Sequence, residues 1–141
     1  MRFWDSSALV PLVCRERASA HCRAWLRADP VMLVWTLAAI EVCSALARKR
    51  RSGDLAPTLH TAAKRRLTIL EGAWNEITHY DTVCTRARRL VEAHPLSAAD
   101  ALHLAAALVA VEERPGGFGF VTFDAHLAEA AAREGFEVLG Q

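Results

Sequence analysis

At 141 residues the chain has the length of one ordinary domain, enough to bury a core without disulfides or metal staples. Its composition, 52% hydrophobic with 23% charged residues, excludes a disordered chain. The net charge of +1 neither requires nor excludes a nucleic-acid partner, because a binding face depends on local clustering rather than on the total.

Arg2 to Trp4 or Asp5 reads as a short aromatic strand, after which Ser6 and Ser7 offer an N-cap to the apolar stretch from Ala8. Ala18 to Leu26 reads as a helix stopped by Asp29-Pro30, and Val31 to Val34 as a buried strand. Thr36 is placed to cap the next helix, whose apolar stripe is expected at Leu37, Ile40, Cys43, Leu46 and Ala47 and ends near Gly53. Pro57 to Glu71 follows as a helix with Leu59, Ala62, Ala63, Leu67 and Leu70 on one face, Pro57 in its first turn and Gly72 at its end. These two helices predict a hairpin arm at about 37–71.

Glu76 to His79 is a short strand candidate, and Thr82 to Ala93 a helix that Pro95 terminates. Ser97 caps an alanine-rich helix to about Glu113. Pro115-Gly116-Gly117 makes a turn, Phe118 to Phe123 a strand, Ala125 to Glu134 a helix and Phe136 to Leu139 a last strand. Five strands alternating with helices predict an α/β fold, with a five-stranded parallel sheet flanked by helices on both faces, right-handed crossovers, and one domain over 1–141. In such sheets a ligand site lies beyond the carboxyl ends of the strands, where strand order reverses.

Asp5 and Asp124 leave predicted strands and precede helices, so they fall where that rule points. Asp100 lies in the first turn of its helix, and Glu41 about one turn into its own; either could lean toward the same edge. Helix capping accounts equally well for Asp5 and Asp124, and a favourable helix-dipole interaction for Asp100. Glu41 stands between Ile40 and Val42 with no lysine or arginine within one turn, so burial there requires a metal or a cation distant in sequence. Four carboxylates gathered without a cation repel, at about 4 kcal/mol for a pair ~4 Å apart at an effective dielectric of ~20. An oxygen-only set suits magnesium or manganese, which would orient and acidify a water for phosphodiester hydrolysis.

His103, three residues after Asp100, could pair with it on one helix face but reads as a packed structural histidine. The basic runs Arg48-Lys49-Arg50-Arg51 and Lys64-Arg65-Arg66 read equally as solvated helix surface or as phosphate-binding patches. Trp25, Trp35 and Trp74 read as core packing rather than an interface. Cys14, Cys22, Cys43 and Cys84 stand singly, with neither zinc-ribbon nor thioredoxin spacing, and read as buried reduced thiols suited to the cytosol. A carboxylate at position 5 argues against a signal peptide. The longest apolar run, Ala101 to Val111, is far short of the ~20 residues of a membrane span, so a soluble cytoplasmic protein with no membrane partner is expected.

Four segments together resemble the PIN-domain family, and within it the VapC-type toxins of type II toxin–antitoxin systems. They are Phe3-Trp4-Asp5-Ser6-Ser7-Ala8-Leu9; Ala39-Ile40-Glu41-Val42 with Ala45-Leu46; Leu96 to Ala107, containing Ser97, Asp100 and His103; and Val121-Thr122-Phe123-Asp124 with Leu127, Ala131 and Gly135. The resemblance implies a PIN-like sandwich and a Mg2+- or Mn2+-dependent endoribonuclease acting on RNA. It also implies a homodimer inhibited by a small VapB-like antitoxin, which the arm would help receive. Carried over by position, Asp5, Glu41, Asp100 and Asp124 become the catalytic and metal-binding acids, with Ser6 and Thr122 hydrogen-bonded to them. His126 stands where many relatives carry a further acid or amide, which bears on a second metal.

Three other readings stay open at this point. A haloacid-dehalogenase-type phosphatase would want an aspartate two residues after Asp5, where Ser7 stands. A PIN nuclease acting on DNA or in RNA processing, and a catalytically silent antitoxin-binding scaffold, share the fold.

Overall fold

Strand and helix alternate along the chain in a computed structural model that describes residues 1–141. The elements are β1 (Arg2–Trp4), α1 (Ser6–Val13), α2 (Ser19–Ala28), β2 (Met32–Trp35), α3 (Ala38–Arg51), α4 (Pro57–Glu71), β3 (Asn75–Ile77), α5 (Tyr80–Ala93), α6 (Ala98–Ala110), β4 (Gly119–Val121), α7 (Ala125–Glu134) and β5 (Glu137–Leu139). All five strands pair in parallel in the order β3-β2-β1-β4-β5, with Phe3 opposite Leu33 and Trp4 opposite Val121.

Alternation along the strands divides the core in two, because successive strand side chains point to opposite faces. Phe3, Leu33, Trp35 and Phe120 pack with α5, α6 and α7, whereas Trp4, Met32, Val34 and Val121 pack with α1 to α4. Both faces are therefore covered, as a parallel sheet requires. In α6 the fully buried Ala101, Ala105, Ala106 and Ala107 replace bulk with close approach, which keeps the helix near the sheet. α4 begins at Pro57 and α7 closes at Gly135, whose φ of 104° lies in the left-handed region.

Several local expectations need correction. Asp5, not Ser6 or Ser7, caps α1, and α3 begins after Leu37 with no side-chain cap from Thr36. On α3 the buried face is Ala38, Val42 and Leu46; Ile40 is 66% exposed and Cys43 is exposed. The helix carries two apolar stripes, and only one can face the core. Leu59 on α4 is likewise exposed, while Ala63 and Leu67 are buried. Of the free cysteines only Cys14 and Cys22 are buried. Trp35 is core, and Trp25 and Trp74 pack at its margin. No helix is long and apolar enough to cross a membrane.

Candidate active site

The strand order turns in opposite directions from β1, to β2 on one side and to β4 on the other. Because Trp4 and Val121 are partners, the residues that follow them emerge side by side at the carboxyl edge. Asp5 leaves β1 there, with its backbone N–H donating to the Val121 carbonyl at 3.0 Å, and Thr122 and Asp124 leave β4 beside it.

Asp5 is only 3% exposed and is held by a dense set of donors. Its Oδ2 accepts from the Ser7 N–H (3.2 Å), the Ser7 hydroxyl (2.5 Å) and the Thr122 hydroxyl (3.0 Å). Oδ1 meets only the Ser6 hydroxyl at 3.3 Å and His103 Nε2 at 3.6 Å. The protein's donors thus gather on one oxygen, and the other has two longer contacts. Asp100 and Asp124 follow the same rule: Asp100 Oδ2 accepts from Ser97 Oγ at 2.6 Å and Asp124 Oδ1 from the Leu127 N–H at 2.8 Å, leaving the second oxygen of each open. Capping and site-building are therefore compatible roles for the same aspartates.

Glu41, in the first turn of α3, differs because both its oxygens are engaged. Ser6 Oγ donates to Oε2 at 2.7 Å, and His103 Nε2 lies 3.1 Å from Oε1 and 3.0 Å from Oε2. His103, 62 positions along the chain, is thus the distant partner of a partly buried Glu41. Burial pushes the Glu41 carboxyl up, but the His103 hydrogen bond and charge, with the Ser6 bond, outweigh it and hold the group below its usual range. For His103, burial opposes protonation, while the bond to Glu41 and the charges of Asp5, Glu41 and Asp100 raise its pKa. His103 Nδ1 has no protein partner, so Nε2 is the ring nitrogen that meets Glu41. Asp100 moves the other way from Glu41. Burial raises its pKa, the Ser97 bond partly offsets this, and the charges of Asp124 and Asp5 raise it further. Asp5, Asp100 and Asp124 therefore feel one another.

With this geometry the chain can be placed among known proteins. Residues 2–133 match the PIN domain. The chain belongs to the PIN-domain family. Ribonuclease VapC45 of Mycobacterium tuberculosis is 35% identical over 106 residues, 75% of this chain and 74% of that protein. Among solved structures, Mycobacterium tuberculosis VapC20, a sarcin-ricin loop cleaving toxin, superposes with a TM-score of 0.64 at 20% identity, covering 92% of this chain and 95% of that one. FitAcB from Neisseria gonorrhoeae gives 0.67 at 16% identity, covering 98% and 96%. At these identities the two structures speak for the fold, and the chain is a distant homologue of the VapC ribonuclease toxins.

In this PIN domain one ligand atom each from Asp5, Glu41 and His103 lies within 4.8 Å of the others, so the three could hold a metal ion. The donor set fits a divalent cation: carboxylate oxygens dominate, and repulsion among Asp5, Asp100 and Asp124 is the penalty that a cation removes. Sequence reasoning set His103 apart from the acids. It is packed, at 1% exposure, yet it also points into the site, so the protein's donor set is not oxygen alone. The sequence signal was its position three residues after Asp100, but its partner, Glu41, comes from another helix. Ser7 was read as a cap candidate and as part of the first family segment, not as a hydrogen-bonder to the acids; its hydroxyl joins Asp5 to the loop after β4, accepting from the Phe123 N–H at 2.9 Å. His126 is exposed on α7.

A cavity of about 410 Å3 between α5 and α6 is similar in size to the one beside the acids, at about 390 Å3. It is lined by charges such as Arg86 and Glu113, which already pair at 3.0 Å, and none of the four acids reaches it. The candidate metal cluster lies instead in the cleft above the switch point.

Proposed function

We propose that this chain, as one PIN domain over 1–141, is a metal-dependent endoribonuclease and the toxin of a VapBC-type pair, hydrolysing RNA phosphodiester bonds with a metal-activated water. The observation that carries this reading is the cluster in which one ligand atom each from Asp5, Glu41 and His103 lies within 4.8 Å of the others, with Asp100 close enough to feel the charges of Asp5 and Asp124. Mg2+ or Mn2+ held by these acids would supply Lewis acidity toward water and phosphate, and would neutralise charge that grows during in-line displacement. The chain's own residues position the reaction. Ser7 and Thr122 fix Asp5 through Oδ2, Ser97 fixes Asp100, and Ser6 joins Asp5 to Glu41. The contact with His103 Nε2, with the Ser6 bond, favours the charged form of Glu41. In the step itself a water oxygen bonds to phosphorus and one P–O ester bond breaks.

RNA rather than DNA is supported by relatedness to a protein named ribonuclease and by the toxin VapC20. A small VapB-like antitoxin is the proposed partner of the α3–α4 arm, where Ile40, Leu59 and Ile69 are 66%, 56% and 71% exposed and would gain from being covered. The family likeness also supports a homodimer. Four free thiols suit the cytoplasm.

The test is to incubate the purified, partner-free protein with total bacterial RNA in EDTA, Mg2+ or Mn2+, beside Asp5→Asn, and to map the cut ends. Metal-dependent cutting lost in the variant supports the reading. Folded wild type that binds no metal and cuts no RNA would sink it and leave the scaffold reading, while cutting confined to DNA would favour the DNA-directed relative.

A further inference from the structure

The cleft beside the acids continues along α3. The cavity of about 390 Å3 is bounded by Ser6, Ser7 and Val10 of α1 and by Glu41, Ser44 and Arg48 of α3. The spacing of three and four puts the α3 residues on one helical face, with Arg48 two turns and about 10 Å along the axis from Glu41. Arg48 is exposed and its guanidinium meets no carboxylate, whereas its neighbour Lys49 is paired with Glu16 at 2.6 Å. Ser44 is exposed too, and its hydroxyl has no protein partner. A last-turn cation also complements the helix dipole, but Arg50 and Arg51 supply that without lining this cavity.

A site of four carboxylates repels a polyanion, so a substrate strand needs a cation close to the acids to be drawn in and aligned. Arg48 is the only cation lining the cavity that holds Glu41. Its planar fork and the adjacent hydroxyl suit a phosphodiester, and a strand with splayed bases can bring one to a concave site. We propose that Arg48 and Ser44 form a phosphate subsite for single-stranded RNA, holding a phosphodiester that flanks the scissile one. This rests on the ribonuclease reading and names how that site takes its substrate.

The test uses the full chain in an Asp5→Asn background, which prevents cutting, with a short fluorescent single-stranded RNA in Mg2+ and anisotropy read across a salt series. Arg48→Ala should weaken binding about tenfold and lower the slope of log Kd against log salt by about 0.7, the loss of one phosphate contact on a single strand. Arg48→Lys should restore the slope but not the full affinity. Arg114→Ala, beyond the opposite end of α6 from Asp100, should change neither. With Asp5 intact, Arg48→Ala should raise KM more than it lowers kcat. If Arg48→Ala matches its parent in Kd and slope while that parent binds RNA, the subsite is refuted and the ribonuclease reading stands. If neither the parent nor the unmodified protein binds RNA at any salt, both fall.

Discussion

The inner and outer ends of the acidic site are prepared differently. At the inner end, Asp5 is buried under three donors to one oxygen, and Glu41 is matched by His103 and Ser6. At the outer end, Asp100 has one side-chain hydroxyl and faces the uncompensated charges of Asp124 and Asp5. The inner acids are held by protein contacts, while the outer acid carries a burial and charge penalty that a bound cation would relieve.

The largest effect should come from Asp5→Asn, which keeps the shape but removes the charge at the centre. RNA cleavage should fall by about a thousandfold, on the scale of losing a principal electrostatic group, with circular dichroism unchanged. Equal activity in the variant would move the centre elsewhere. Next, Thr122→Val removes a donor to Asp5 and the acceptor of the Asp124 N–H at 3.0 Å. Chemical denaturation should show a loss of about 1–3 kcal/mol, as for a buried group left unpaired. A neutral result would mean that the inner end is less fixed than its hydrogen bonds imply.

The two ends should also respond to pH with opposite sign. Glu41, with its pKa lowered on folding, adds stability above the ordinary carboxylate range and loses it as pH falls through the lowered value. Asp100, with its pKa raised, makes the folded chain bind the proton more tightly, so stability is lost as pH rises from the ordinary range through the raised value. In EDTA at neutral pH, Asp100→Asn should therefore melt about 2 °C above wild type, roughly half a kcal/mol for a chain of this length. The gap should close near pH 3, where carboxyls are protonated, and Mg2+ should raise the Tm of wild type more than that of the variant. A variant that melts lower in EDTA would contradict the charge argument. The smallest effect concerns the thiols. Alkylation at mild pH should modify Cys43 and Cys84 quickly and spare buried Cys14 and Cys22, the latter pushed up to about 11 by burial.

Elements with strong punctuation were legible in the sequence: α4 between Pro57 and Gly72, and α7 between Asp124 and Gly135, lie where proline, cap and glycine put them. The α3 face was not, because Ile40 and Leu46 are equally apolar and only the neighbouring α1 and α4 decide which is covered. The convergence of Asp5 with Asp124 was foreseeable from strand ends and a topological rule. The Glu41–His103 contact was not, since it spans 62 positions and depends on how α3 and α6 are set against the sheet. Ser7 was obscured by the cap reading of the same hydroxyl.

The bond from Thr122 to Asp5 spans 117 positions, and the strand that carries Thr122 and leads to Asp124 is the fourth of five. During synthesis, Asp5 therefore emerges from the ribosome long before Thr122. A nascent chain that has not yet made and docked β4 holds its first aspartate without the Thr122 clamp and without Asp124. For a protein whose proposed target is RNA, the order of translation itself would delay the formation of a cutting centre until β4 has been made and docked.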